Sequence, residues 1–240
     1  IDAHTHVGEG AAVWSGKQVV DRMDTIGVDK TVIFPFTAGS FNNELIPGYI
    51  QEYPDRLIPF CAINPWDKQT ALDELDRRLS EGFKGVKLHP TICGFSLSSK
   101  ALCNPVFEIV QAHGAVVITH GASDMNNSPL ECARMAARFP KVPLIIAHCG
   151  FFWQWELAIE VAEENENLYL ETSRVPLFET RKIISSLGGS KVMWGTDGPF
   201  ADYAWEFDKV RKACSSDAQF DQVTGGTIAW GVKASWRNYL

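Results

Sequence analysis

Eight short apolar runs, mostly rich in β-branched residues, recur along this chain: Ile1 to His6, Thr31-Val32-Ile33-Phe34, Leu57-Ile58-Pro59-Phe60, Gly85-Val86-Lys87-Leu88, Ala115-Val116-Val117-Ile118, Leu144-Ile145-Ile146-Ala147, Asn167-Leu168-Tyr169-Leu170 and Lys191-Val192-Met193-Trp194. Near-continuous apolarity over so few residues, in place of strict alternation, marks strands covered on both faces, as in a parallel sheet with helices outside it. The segments between them carry helical spacing. In Ala71 to Leu79, for example, Leu72, Leu75 and Leu79 share one face and charged residues the other. Further helices are expected to start near Gly16, Asn42, Asn104, Pro129, Phe152, Leu177 and Ala201. Strand starts lie roughly 24 to 31 residues apart, the length of one strand, one helix and two loops in a βα unit. Eight such units close a single (β/α)₈ TIM barrel, an α/β fold, and one domain over residues 1–240 is expected. Asp217 to Leu240 is expected to add a terminal helix that docks through Trp230, Val232 and Trp236. Gly82, Gly114 and Gly188-Gly189 fall where helices should end in a left-handed residue.

Charge and composition exclude several partner classes. A net charge of −7 with no basic stripe argues against nucleic acid, whose binding needs clustered Lys and Arg. The apolar runs fall well short of the roughly 20 residues that cross a bilayer, so no membrane partner is expected. Six cysteines are scattered without CxxC spacing, and a chain of 240 residues needs no covalent staples. Reduced thiols, a cytoplasmic location and no secretory leader are the expectation. A homodimer is the default assembly.

In a barrel of this kind all strand C-terminal ends open on one face, where chemistry gathers. Strand 1 ends in His4 and His6, strand 4 in Lys87 and His89, strand 5 in His120, strand 6 in His148, strand 7 in Glu171 and Ser173, and strand 8 in Asp197. Five of the six histidines thus sit at strand ends, a concentration that points to a metal centre. His4 and His6 are two apart on a strand and share a face. Neutral imidazoles with a carboxylate suit Zn²⁺, with Mn²⁺, Fe²⁺ or Co²⁺ also feasible, and His120 and Asp197 would complete such a site. Each residue alone has an ordinary alternative, a strand-end imidazole bonded to backbone or a turn aspartate before Gly198-Pro199. Their placement on one rim is what separates them from that background. His113, before Gly114, reads as a structural histidine favouring a helix C-terminus, and Cys149 as a small core residue.

These residues in this order resemble the amidohydrolase superfamily: Ile1-Asp2-Ala3-His4-Thr5-His6, Gly85-Val86-Lys87-Leu88-His89-Pro90, Thr119-His120-Gly121, Ala147-His148-Cys149-Gly150 and Gly195-Thr196-Asp197. With the first strand at residue 1, no flanking β-sandwich is expected, which is similar to the compact amidohydrolase-2 branch containing aminocarboxymuconate-semialdehyde decarboxylase, resorcylate-type decarboxylases and lactonases. The resemblance implies His4, His6, His120 and Asp197 as ligands of one divalent ion, with His148 beside the bound water as acid/base. It leaves Lys87 open: a carboxylated lysine bridging a second metal, or, as preferred here, a substrate-side cation together with His89. Gly225-Gly226-Thr227 departs from an Asn usual after paired glycines and should affect helix docking alone.

The loops after strands 6 and 8 are aromatic, with Phe151, Phe152, Trp153 and Trp155 in the first and Phe200, Tyr203, Trp205 and Phe207 in the second. Trp153 is the expected pocket residue, and loop 1 from Val7 to Ser15 has the composition of a segment able to move over the site. The first functional expectation is a metal-dependent hydrolase that uses an activated water on the carbonyl of a lactone, ester or amide of a small organic acid. Asp197 would take the proton and His148 assist. The alternative is metal-dependent non-oxidative decarboxylation of an aromatic or unsaturated carboxylic acid, and a non-catalytic metal-binding barrel is a third reading.

Overall fold

The structure is a computed structural model that describes residues 1–36, 41–121 and 125–231. Its eight strands are β1 (Asp2–Val7), β2 (Thr31–Pro35), β3 (Leu57–Ala62), β4 (Gly85–Leu88), β5 (Val116–His120), β6 (Leu144–Ala147), β7 (Leu168–Glu171) and β8 (Val192–Met193). Among the described residues they form one sheet in sequence order, and every ladder from β1–β2 to β7–β8 is parallel. Between them run α1 (Gly16–Ile26), α2 (Leu45–Glu52), α3 (Gln69–Ser80), the single turn α4 (Pro90–Cys93), α5 (Lys100–His113), α6 (Pro129–Arg138), α7 (Trp155–Glu164) and α8 (Leu177–Leu187). After β8 come α9 (Tyr203–Ala213), α10 (Asp217–Asp221) and α11 (Thr227–Gly231). This is the TIM barrel expected from the strand spacing.

The strands are apolar on both faces because they separate two cores. Val32, Phe34, Ile58, Phe60, Val116, Ile118, Ile145, Ala147 and Met193 fill the barrel interior. Their neighbours Ile33, Leu57, Val117, Leu144 and Ile146 pack outward with the helices. The period of two survives although every position is buried, as a parallel strand between helices and barrel interior requires.

Several boundaries differ from expectation for local reasons. Asn104-Pro105 looks like a helix start, yet α5 begins a turn earlier and carries Pro105 inside it. α7 begins at Trp155 instead of Phe152, because Cys149, Gly150 and Phe151 take positive φ and form a tight turn first. The expected terminal helix is broken: α10 runs into a π turn over Gln222–Gly226 before α11. The side chain of Trp230 and residues Val232 and Trp236 lie outside the described residues. The segment docks under β8 through Trp194 N–H to Val223 O at 3.0 Å and Thr227 Oγ1 to Gly189 O at 2.6 Å. Gly114 (φ 61°) and Gly188 (φ 69°) do end their helices in the left-handed region. His113 pairs with Asp76 at 2.7 Å on the outside of the barrel.

Only two residues of β8 pair with β7, so the barrel is closed largely by the stretch from Trp194 to Gly198. Ala3 N–H donates to Trp194 O (3.0 Å), Asp197 N–H to His4 O (2.8 Å) and His6 N–H to Gly198 O (2.8 Å). The carboxylate of Asp2 bolts this seam. Oδ1 accepts from His4 N–H (2.9 Å) and Thr196 N–H (3.1 Å), and Oδ2 from the hydroxyls of Thr5 and Thr196, both at 2.7 Å. Burial pushes this carboxyl up to about 6 in spite of those bonds. It is therefore an acceptor-only group at neutral pH, which is what four donors require. Asp2→Asn would present an amide N–H₂ to donors that need an acceptor. We expect it to lower stability by about 1–3 kcal/mol, read as a shift of the urea midpoint with an unchanged m value.

Candidate metal centre

The seam places its neighbours. His4 and His6 project from β1 into the barrel mouth against Phe34, with ring centroids at 5.1 and 4.8 Å. Asp197, held at φ 54° just beyond β8, turns its carboxylate towards them. His4 Nε2 and His6 Nε2 are 3.2 Å apart, and Asp197 Oδ1 lies 3.2 Å from the first and 3.1 Å from the second. On the far side of His4, Nδ1 meets Glu171 Oε2 at 2.8 Å. A carboxylate can only accept, so Nδ1 carries the proton and Nε2 presents a bare lone pair to the cluster.

Without an ion, the cluster is bridged by His6 Nε2 to Asp197 Oδ1 and by Lys87 Nζ to His4 Nε2, both at 3.1 Å, and His6 Nδ1 is left without a partner among the described residues. Separations near 3.1–3.2 Å are those of ligand atoms sharing a cation at about 2.0–2.2 Å. The donor set therefore fits one divalent ion. Its chemistry, two or three nitrogens with one carboxylate oxygen, serves Zn²⁺ and Mn²⁺ alike.

His148 is the next imidazole inward. A ligand atom of His148, one of His4 and one of Asp197 lie within 4.8 Å of one another. Its Nδ1 contacts the Ser173 carbonyl (3.1 Å) and hydroxyl (2.9 Å), and that hydroxyl donates onward to Glu171 Oε2 at 2.8 Å. The carbonyl acceptor places the proton on Nδ1 and leaves Nε2 open. His120 stacks on His89 at 3.9 Å and meets the His148 ring edge-on at 4.9 Å, so it belongs to the same wall of imidazoles. Neither His120 nor His6 is in that group of three, and His6 joins the cluster through its own contacts with His4 and Asp197.

Electrostatics keep these rings neutral. Burial, then the charge of Lys87, holds His4 well below the ordinary imidazole value. Burial brings His148 and His89 to about 3, and His120 is depressed by burial and by His148 and His89. Burial would raise Asp197, but the imidazoles of His148, His6 and His4 hold it well below the carboxylate range. Neutral imidazoles around an ionised carboxylate are the state a metal ion needs.

Lys87 is buried, with Nζ 3.1 Å from His4 Nε2 and 4.9 Å above the Phe34 ring, and burial lowers it to about 8. His89 caps α4, its Nδ1 accepting weakly from Ile92 N–H at 3.4 Å. Trp153 does not reach this cluster: it is 82% exposed and touches Phe152 at the outer rim. The rings that line the site are Phe151, stacked on His148 at 4.5 Å, and Phe36 and Phe200, packed on His6 at 4.7 and 5.3 Å and on each other at 5.0 Å. In loop 1, Trp14 abuts Gly198, where a Cβ would collide with the edge of its ring.

Sequence reasoning passed over Asp2, Phe34, Phe36 and Arg174, whose Nη1 lies 3.4 Å from Asp197 Oδ2. A usable signal for the first was its place beside the histidine pair. For Arg174 the local sequence offers none.

The fold and this cluster define a metal-dependent barrel enzyme. The sequence profile of the Amidohydrolase family matches residues 1–229, and the chain belongs to that family. Similar solved structures include 5-carboxyvanillate decarboxylase from Sphingomonas paucimobilis (21% identity, 88% of this chain and 81% of that one, TM-score 0.72). Another is a dihydroxybenzoic acid decarboxylase from a Polaromonas species with bound manganese and 2-nitroresorcinol (16% identity, 100% and 98%, TM-score 0.79). A third is a probable 2-pyrone-4,6-dicarboxylic acid hydrolase from Acinetobacter baumannii with citric acid bound (14% identity, 96% and 98%, TM-score 0.75). At these identities the likeness is one of fold. Comparison with curated protein sequences gives no significant match.

Glu171 fixes the tautomer of His4 and, through Ser173, the ring of His148. Glu171→Gln should weaken Mn²⁺ affinity by about 10–100-fold with little change in circular dichroism, measured by titrating metal into chelator-treated protein. Unchanged affinity would remove Glu171 from the centre.

Proposed function

We propose that this chain is a metal-dependent carboxy-lyase that removes CO₂ from an aromatic or unsaturated carboxylic acid. His4, His6 and Asp197 hold the ion, and His120 stands on the neighbouring wall within reach of a substrate or a further coordination position. The observation that carries the reading is the lining of the cleft. Phe36, Phe200 and Phe151 pack against His6 and His148, so the surroundings of the cluster are aromatic and suit a planar ring. Decarboxylases among the similar structures add support.

A bound divalent ion would supply positive charge to substrate oxygens beside the carboxylate. Lys87, next to His4, would neutralise the carboxylate as it enters a buried site. Breaking the carbon–carbon bond leaves its electron pair on the ring carbon, and a proton must replace the departing CO₂. His148 is the group held for that transfer: with Nδ1 fixed on Ser173, its bare Nε2 would take a proton from water or a substrate hydroxyl and pass it to the carbon.

Hydrolysis, the first expectation from the sequence, keeps one supporting observation. The Asp197 carboxylate stands inside the imidazole cluster, where it could accept a proton from an attacking water. We place this reading second, because decarboxylases recur among the similar structures. Zn²⁺ and Mn²⁺ remain alternatives, with the ion bound in the Polaromonas relative favouring Mn²⁺.

A panel of aromatic and unsaturated acids and of lactones, assayed with Mn²⁺-loaded protein for CO₂ and for acid release separately, tests this. We expect CO₂ from at least one acid and a kcat about 10²–10⁴-fold lower for His148→Asn. Acid release from lactones with no CO₂ from any acid would overturn it in favour of hydrolysis.

A further inference from the structure

Two buried charges take no part in the chemistry of the cluster. Glu206 and Lys209, one turn apart on α9, form an ion pair with 3% and 1% of their surfaces exposed. Taking two charges out of water commonly costs as much as their attraction returns, and apolar residues of similar volume in their place often leave stability unchanged or raise it. Stability is therefore a poor account of this pair, and its remaining bonds point elsewhere. Lys209 Nζ donates to Thr172 O at 2.8 Å, and Glu206 Oε1 accepts from Arg174 N–H at 3.1 Å. Both bonds go to the turn between β7 and α8, and they bracket Ser173.

Every backbone polar group on either side of the Ser173 Cα is engaged. Thr172 O accepts from Lys209, Ser173 N–H donates to Glu171 Oε1, Ser173 O accepts from His148 Nδ1–H at 3.1 Å, and Arg174 N–H donates to Glu206. The last two bonds belong to one peptide group. A peptide is planar, so its N–H and C=O turn together, and holding one end sets the direction of the other. The Glu206 carboxylate thus fixes the carbonyl on which the proton-bearing nitrogen of His148 rests. A negative charge at the N–H end also polarises the amide and strengthens its oxygen as an acceptor. Burial raises the Glu206 carboxyl to about 7, and the Lys209 ammonium is the largest influence holding it down. Lys209 therefore ties down Thr172 and favours the ionised carboxylate together. The turn needs such fixing, since Arg174 takes φ 61°, uncommon for a residue with a Cβ.

We propose that Glu206 and Lys209 are positioning residues for His148. They act through the Ser173–Arg174 peptide, keeping Nδ1–H on Ser173 O and Nε2 bare. This rests on the reading of His148 as the group that carries the proton, but the placement of its ring can be read without turnover.

The test is the ring Nδ1–H resonance of His148 in ¹⁵N-labelled protein, loaded with diamagnetic Zn²⁺, at about pH 8, where Glu206 is ionised. The signal is assigned by its loss in His148→Asn. In the native protein it should lie downfield and exchange slowly. Glu206→Gln, which keeps an acceptor oxygen and removes the charge, should move it upfield. In the double variant Glu206→Leu with Lys209→Met it should vanish through exchange, although that protein should resist urea as well as the native one. On any acid that yields CO₂, the Mn²⁺-loaded double variant should lose about tenfold or more in kcat with KM within about twofold. A merely structural pair would give a double variant that unfolds, or a folded one with the native resonance and kcat. Each of these results overturns the proposal, as does a resonance unmoved in Glu206→Gln or absent from the native protein. Resonance changes as stated, with no CO₂ from any acid, would leave the positioning role standing and remove the decarboxylase reading.

Discussion

The seam between β1 and the segment after β8 is the constraint on which the rest of the site depends. A two-residue last strand cannot close an eight-stranded barrel by its own ladder. Closure falls to three backbone bonds and to one buried carboxylate that satisfies four donors. His4, His6 and Asp197 are all parties to those bonds or one residue from them. Closing the barrel and assembling the donor cluster are consequently a single event, and the geometry of the cluster is as rigid as the barrel itself.

That rigidity confines mutually unfavourable groups. His4 and His6 nitrogens and an oxygen of Asp197 converge, with Lys87 Nζ donating to the same His4 nitrogen. Burial prevents water from relieving the crowding and lowers every imidazole and the lysine. The backbone is held just as tightly: His148, Cys149, Phe151, Arg174 and Asp197, all non-glycine, take positive φ at the ends of β6, β7 and β8. Conformations of this kind persist only where the surroundings over-determine them. A divalent cation satisfies three acceptors at once and is the simplest relief of the electrostatic part.

Much of this was legible in the sequence, and the reasons differ by residue. The strands were readable because burial on both faces leaves near-continuous apolar runs. For the same reason His4, His6, His89, His120, His148 and Asp197 stood out: a polar side chain closing such a run cannot be solvated core and needs a partner. Asp2 was visible but mute, since its work is done with Thr196, 194 positions away. β8 read as four residues because Trp194 is apolar, yet its carbonyl and those after it serve the seam with β1. Trp153 was misleading in kind: an aromatic residue in a site-bearing loop is the usual lining signal, but the turn at Cys149 to Phe151 sends it outward and puts Phe151 on His148. Arg174 resembles any loop arginine until Glu206, 32 positions on, fixes its backbone beside Asp197.

Metal ligands and fold do not choose the bond that breaks, because the same barrel and the same cation can polarise a lactone carbonyl or a carboxylate. What discriminates is the surface around the ion. Around the cluster stand Phe200 against His6, Phe151 against His148 and the Lys87 ammonium against His4. An imidazole locked by Ser173 through Nδ1 keeps Nε2 as an acceptor, a fixed point through which a proton taken from water or a substrate hydroxyl would pass to carbon as CO₂ departs. These groups are the ones on which the proposed loss of CO₂ from a planar acid rests.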